Sequence, residues 1–118
     1  MNDRIKLAEA MGWKLYEKVQ KSTGKVIIHT RSKAPMHGSG DYVWTEVPAD
    51  KYPDSTLFTP TFDPFTDAND DYAVLEWMRK QDEEMFTSFA FRCNIHWMDD
   101  WCLYKIGDYA RAALKVMT

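Results

Sequence analysis

An α+β domain, with helices layered on an antiparallel sheet in the order α-β-β-(β)-α-β-β-α, is what this sequence predicts. Three observations predict it. Two stretches, Trp13–Thr30 and Glu84–Ile106, alternate apolar and polar residues and double back at a turn. Three others carry apolar residues at helical spacing. The chain has 118 residues, 45% of them hydrophobic and 28% charged, which suits one folded domain over 1–118 with a core of its own.

The first helix is expected over Asn2–Met11. Asn2 or Asp3 can cap it, Leu7, Ala8 and Met11 share one face, and Gly12 stops it. Trp13–Val19 then alternates, with Trp13, Leu15 and Val19 on one side. Ser22-Thr23-Gly24 turns the chain, and the β-branched run Val26-Ile27-Ile28-His29-Thr30 returns as the second strand. Ser32–Gly40 reads as loop, and Tyr42–Glu46 as a short third strand or edge piece. Pro48, Pro53, Pro60 and Pro64 argue against regular structure over 48–66, where Phe58 and Phe62 are the expected anchors to the core.

A second helix is expected over Asp67–Gln81, capped by Asp67, acidic in its first turn, with Val74, Trp77 and Met78 as its stripe. From Glu84 to Trp97 the pattern suggests period two. Met85, Phe89, Phe91, Cys93, Ile95 and Trp97 would share one face of a strand, and Ser88, Arg92, Asn94 and His96 the other. Met98-Asp99-Asp100 would turn into a return strand over Trp101–Ile106. Gly107-Asp108 opens the last helix, striped by Tyr109, Ala112, Ala113 and Val116.

The net charge of −3 is unevenly spread. Residues 1–33 carry eight Lys and Arg against three acids, whereas residues 63–84 carry eight acids against two cations. Such polarity can steer a charged partner. The opening residues, Met1 to Lys6, lack the apolar core of a secretory leader, and no apolar run is long enough to span a membrane. A cytoplasmic protein with Cys93 and Cys102 as reduced thiols is expected.

No motif announces catalysis. Gly-x-Ser-x-Gly, P-loop and dinucleotide patterns are missing, and the five glycines are scattered. Asp63, Asp67, Asn69, Asp70 and Asp71 could face a hard cation, but they lack the glycine and distant glutamate of a calcium loop. Helix capping accounts for Asp67 and Asp70. Cys93, His96 and Cys102 are split by strand parity, so no zinc set is read. No enzyme, metal or cofactor is therefore expected.

Two surfaces are expected to touch a partner. One is the acidic set Asp63, Asp67, Asp70, Asp71, Asp82, Glu83 and Glu84. The other pairs aromatics with acids at Tyr42, Trp44, Asp99, Asp100 and Trp101, the anatomy of an anchor with a charged rim. An alternative is a nucleic-acid-binding hairpin using Lys14, Lys18, Lys25 and Arg31.

Phe62-Asp63-Pro64-Phe65-Thr66-Asp67 leading into Val74–Arg79, the closing Gly107–Val116, and Leu7-Ala8-Glu9-Ala10-Met11-Gly12-Trp13 together resemble small phage and prophage proteins of the phage ABA sandwich type. The middle of this chain, Ser32–Pro60, is longer than that pattern. The resemblance implies a helix–sheet–helix layering and a phage or prophage origin, with no catalytic residues to carry over. It implies an accessory protein that binds a host or phage protein, inhibition of a bacterial defence complex (an anti-CRISPR) being one form.

Overall fold

The computed structural model describes residues 2–100 and 104–117, with side chains outside 94–100. The fold is α+β: among the described residues there are four helices and a three-stranded antiparallel sheet, in the order α-β-β-β-α-α-α. The chain divides into two compact units, Met1–Phe62 and Asp63–Thr118.

The first unit holds α1 (Asp3–Ala10), β1 (Lys14–Gln20), β2 (Val26–Ser32) and β3 (Tyr42–Val47). Asn2 caps α1, its side chain accepting from the Ile5 N–H at 2.9 Å. At the other end the Trp13 N–H donates to the Ala8 carbonyl and the Gly12 N–H to that of Glu9, while Gly12 adopts φ 96°. That paired closure needs a residue at positive φ, which glycine supplies without a Cβ penalty. β1 is the central strand, pairing β2 on one side and β3 on the other. Trp13 packs on Phe58 and Phe62, with ring centroids 5.4 and 5.1 Å apart, so the proline-rich connection is pinned by the two expected phenylalanines.

The second unit is helical: α2 (Ala68–Met78), α3 (Glu83–Asp100) and α4 (Asp108–Met117), with α4 packed on both others. Val74 and Met78 of α2, Phe89 of α3, and Ala110, Ala112 and Ala113 of α4 are buried. Small residues on α4 let helices approach closely.

The strand expected over Glu84–Trp97 is instead the body of α3, and the turn expected at Met98–Asp100 is its end. The reason is visible in the same residues. Met85, Phe86, Phe89, Ala90 and Cys93 also repeat at helical spacing, and these are the positions turned inward, whereas Phe91 is 67% exposed. Asp82 starts the helix, its carboxylate accepting from the Met85 N–H at 2.8 Å, and Glu83 and Glu84 complement the dipole. The expected return strand opens on residues outside those described, and Tyr104–Gly107 is a turn without strand structure.

Candidate interaction surface

The sheet of the first unit has a covered half and an open half. In the covered half, cross-strand neighbours place Arg31 beside Leu15 and His29 beside Glu17 on one face. The segment 48–59 folds onto that face. Arg31, 1% exposed, donates from Nη1 to the Ser55 carbonyl and from Nη2 to those of Ala49 and Tyr52, at 3.0 and 2.9 Å. Burial lowers its pKa, yet an arginine stays charged at any ordinary pH. One cation thus gathers three carbonyls of a segment that has no strand ladder of its own.

Glu17 lies on the same inward face, 4% exposed. Its carboxylate accepts from the Tyr52 hydroxyl and from Lys51 Nζ at 2.8 Å. Those hydrogen bonds, from Lys51 and then Tyr52, hold its pKa below the usual carboxylate value, and the Tyr52 phenol is pushed up in return. The His29 ring stacks on Tyr52 with centroids 3.8 Å apart and planes 2° from parallel, and its Nε2 lies 2.8 Å from Ser55 Oγ. Serine and histidine are the residue types of a nucleophile and base. Here the Tyr52 ring covers one face of the imidazole, and both Nη atoms of Arg31 are bonded to backbone carbonyls. The cluster is a clamp that holds the connection on the sheet.

The open half lies beyond the clamp. Val26, Val19 and Val43 form one rung across all three strands, and Val26 and Val43 are 46% and 37% exposed. Ile27 and Ile28 are exposed to 48% and 49%. A bulge between Lys18 and Val19 leaves Ile27 without a partner in the register. Opposite Ile28, the Lys18 ammonium sits over Tyr42 and Trp44, 4.8 and 5.9 Å from their centroids. The tip is fastened: Asp41 accepts from the Ser22 N–H and hydroxyl at 3.1 and 2.6 Å, and the Lys21 N–H donates to the Asp41 carbonyl. Consecutive aliphatics on an exposed edge strand are what soluble proteins ordinarily avoid.

Tyr42 and Trp44 therefore belong to this open half, half-buried under Lys18. The acidic set fares differently. Asp71 is fully buried and leaves the surface altogether. It accepts from the Tyr104 hydroxyl and from the N–H groups of Gly107, Tyr109 and Ala110 at 3.0, 3.4 and 2.8 Å, so it closes the N-terminus of α4. It stands in line with Val74 and Met78 on the inward stripe of α2, which is the signal that could have placed it.

Asp67 caps α2, Asp82 caps α3, and Asp63 and Asp70 are joined by a hydrogen bond from the Asp63 N–H. Glu83 and Glu84 are exposed. Asp99 and Asp100 end α3 rather than forming a hairpin turn, and Trp101 lies outside the described residues. The basic hairpin loses Arg31 to the interior, and Lys14 pairs with Glu46 at 3.5 Å. Lys18 and Lys25 remain on the hairpin's surface side, Lys25 exposed.

Two of the concavities among the described residues lie beside side chains already placed. One, about 530 Å³, opens between Glu9, Trp13, Lys14, Glu46 and Pro48, where Lys14 and Glu46 are spent on each other. The other, about 210 Å³ between Leu75, Phe86, Phe89, Cys93 and Tyr109, is smaller than the roughly 300–1,000 Å³ of typical ligand pockets. Among the described residues no three His, Cys, Asp or Glu side chains converge as metal ligands, and no helix is long and apolar enough to cross a membrane. No family model, curated protein or solved structure matches the chain.

Proposed function

We propose that this chain is a non-catalytic protein that binds another protein through the open end of its sheet. The observation that supports this reading is the run Val26-Ile27-Ile28 with Val43, each over a third exposed on strands otherwise anchored by the clamp. Exposed apolar surface of this kind on a rigid element is favourable to bury and costs little ordering on binding. Tyr42 and Trp44, on the face that Ile28 shares with Lys18, supply the aromatic anchors usual at such interfaces, and Lys18 and Lys25 a charged rim, while Val26 and Val43 lie on the opposite face.

The sequence resemblance adds the class of partner. It favours a phage or prophage accessory protein engaging a host or phage protein, a bacterial defence complex among them.

Affinity capture from bacterial lysate tests the reading when wild type is compared with Ile28→Asp and with Glu83→Lys/Glu84→Lys. A partner retained at high salt by wild type and the helix variant, and lost with Ile28→Asp, is the expected result. Equal capture by Ile28→Asp, with its circular dichroism unchanged, would overturn it.

A further inference from the structure

We infer that the open edge of β2 takes an added strand from its partner: an extended segment of alternating β-branched residues flanked by Asp or Glu. This rests on the binding reading above and specifies how the partner is held. The edge already accepts one strand residue of this kind from the chain itself. The Arg31 N–H donates to the Leu57 carbonyl at 2.8 Å and the Thr59 N–H to the Arg31 carbonyl at 2.8 Å, a parallel bridge.

Those bonds show that the backbone groups of Arg31 face away from β1. Period two turns those of His29 the same way, and Ile27 stands unpaired at the bulge. The ladder nevertheless stops after a single bridge, because Tyr52–Ser55 rises over the sheet face to stack on His29 and meet Arg31. Among the described residues no backbone group bonds to His29 or Ile27 on that outer side.

Native edges are commonly blunted by a charge or proline within the strand. Val26-Ile27-Ile28 carries neither, and its cations stand at the margins, Lys25 and Lys21 on the turn and Lys18 on the neighbouring strand. Asp41 is the acid at this end, and it is held by Ser22 at the β3 side. A second copy of the same edge, paired antiparallel about Ile27, would set Lys25 against His29, where the neighbouring acid, Glu17, is already bonded to Lys51 and Tyr52. An acidic-flanked strand instead gains main-chain hydrogen bonds, apolar side-chain contacts and charge complementarity together.

The probes are two eight-residue peptides of alternating valine and threonine, one flanked by glutamates and one by lysines. Amide exchange of the full chain is followed by NMR. The glutamate peptide is expected to slow exchange at Ile27 and His29 and to bind at least about tenfold more tightly than the lysine peptide, the gap shrinking in salt. Lys21→Glu/Lys25→Glu, on exposed turn positions that leave the fold intact, should reverse that preference. No slowing by either peptide, or equal slowing by both, overturns the inference, as does slowing that grows with protein concentration alone. If Ile28→Asp abolishes capture of a partner that itself leaves exchange at Ile27 and His29 unchanged, the binding reading survives and strand addition does not.

Discussion

Asp71→Ala is expected to be the most damaging single substitution in Asp63–Thr118. The carboxylate is fully buried and holds the Gly107 and Ala110 N–H groups at 3.0 and 2.8 Å, as well as the Tyr104 hydroxyl. Removing it strands two buried backbone donors, at about 1–3 kcal/mol each, and takes a negative charge from the start of α4, about 1 kcal/mol more. The sum, about 3–7 kcal/mol, approaches the roughly 5–15 kcal/mol that holds a domain folded. Asp67 provides the control. It caps α2 through the Asn69 and Asp70 N–H groups, but at the surface, where Asp67→Ala costs about 1 kcal/mol. With an m-value of about 1.5 kcal/mol per M, the urea midpoint followed by far-ultraviolet circular dichroism should fall by about 2 M or more for Asp71→Ala and about 0.7 M for Asp67→Ala. Equal shifts would mean instead that the Asp71 donors find water when the carboxylate is gone.

Three further outcomes follow from the same geometry. Glu17 has a folded pKa below its ordinary 4.5, so its stabilising contribution is present in full above that value and is lost as pH falls through the folded one; Glu17→Gln should weaken the protein at pH 7 and flatten the decline in urea stability as pH falls below 4.5. Burial and the nearby Asp108 and Asp71 push the Cys93 thiol up to about 11, so in a Cys102→Ser background it should alkylate at pH 8 about a hundredfold or more slowly than a free thiol. Arg31→Met would release the carbonyls of Ala49, Tyr52 and Ser55, and limited proteolysis should then cut within 49–56 well before the wild-type chain is cut there.

Much of the first unit was legible in the sequence because its signals are local. Asn2, Gly12 and the turn at Ser22–Gly24 state their roles through capping and backbone chemistry, and the Trp13 and Leu15 positions alternate as a half-buried strand must. Phe58 and Phe62 were equally plain, since two aromatics in a proline-rich stretch need a core to enter. The segment 84–97 misled because a run containing Phe86, Phe89, Phe91 and Cys93 fits both periods. Which one holds is decided by capping at Asp82 and by which side packs on α4.

The candidate site was harder to read. Asp71 counts as one more acid in an acidic stretch until its stripe with Val74 and Met78 is noticed, and Arg31 as one more cation until the carbonyls of a segment some twenty residues away converge on it. Both are long-range pairings that composition cannot carry. The β-branched run Val26-Ile27-Ile28 announces a strand, but exposure depends on what covers it, and the clamp that stops short of it is a tertiary feature.

If the open half of the sheet, rather than the acidic helices, meets the partner, hydrogen-exchange mass spectrometry of the chain alone and with its captured partner should show slowed exchange over residues 18–29 and 42–44, with little change over 63–84. Protection confined to 63–84, with the sheet unchanged, would contradict that placement.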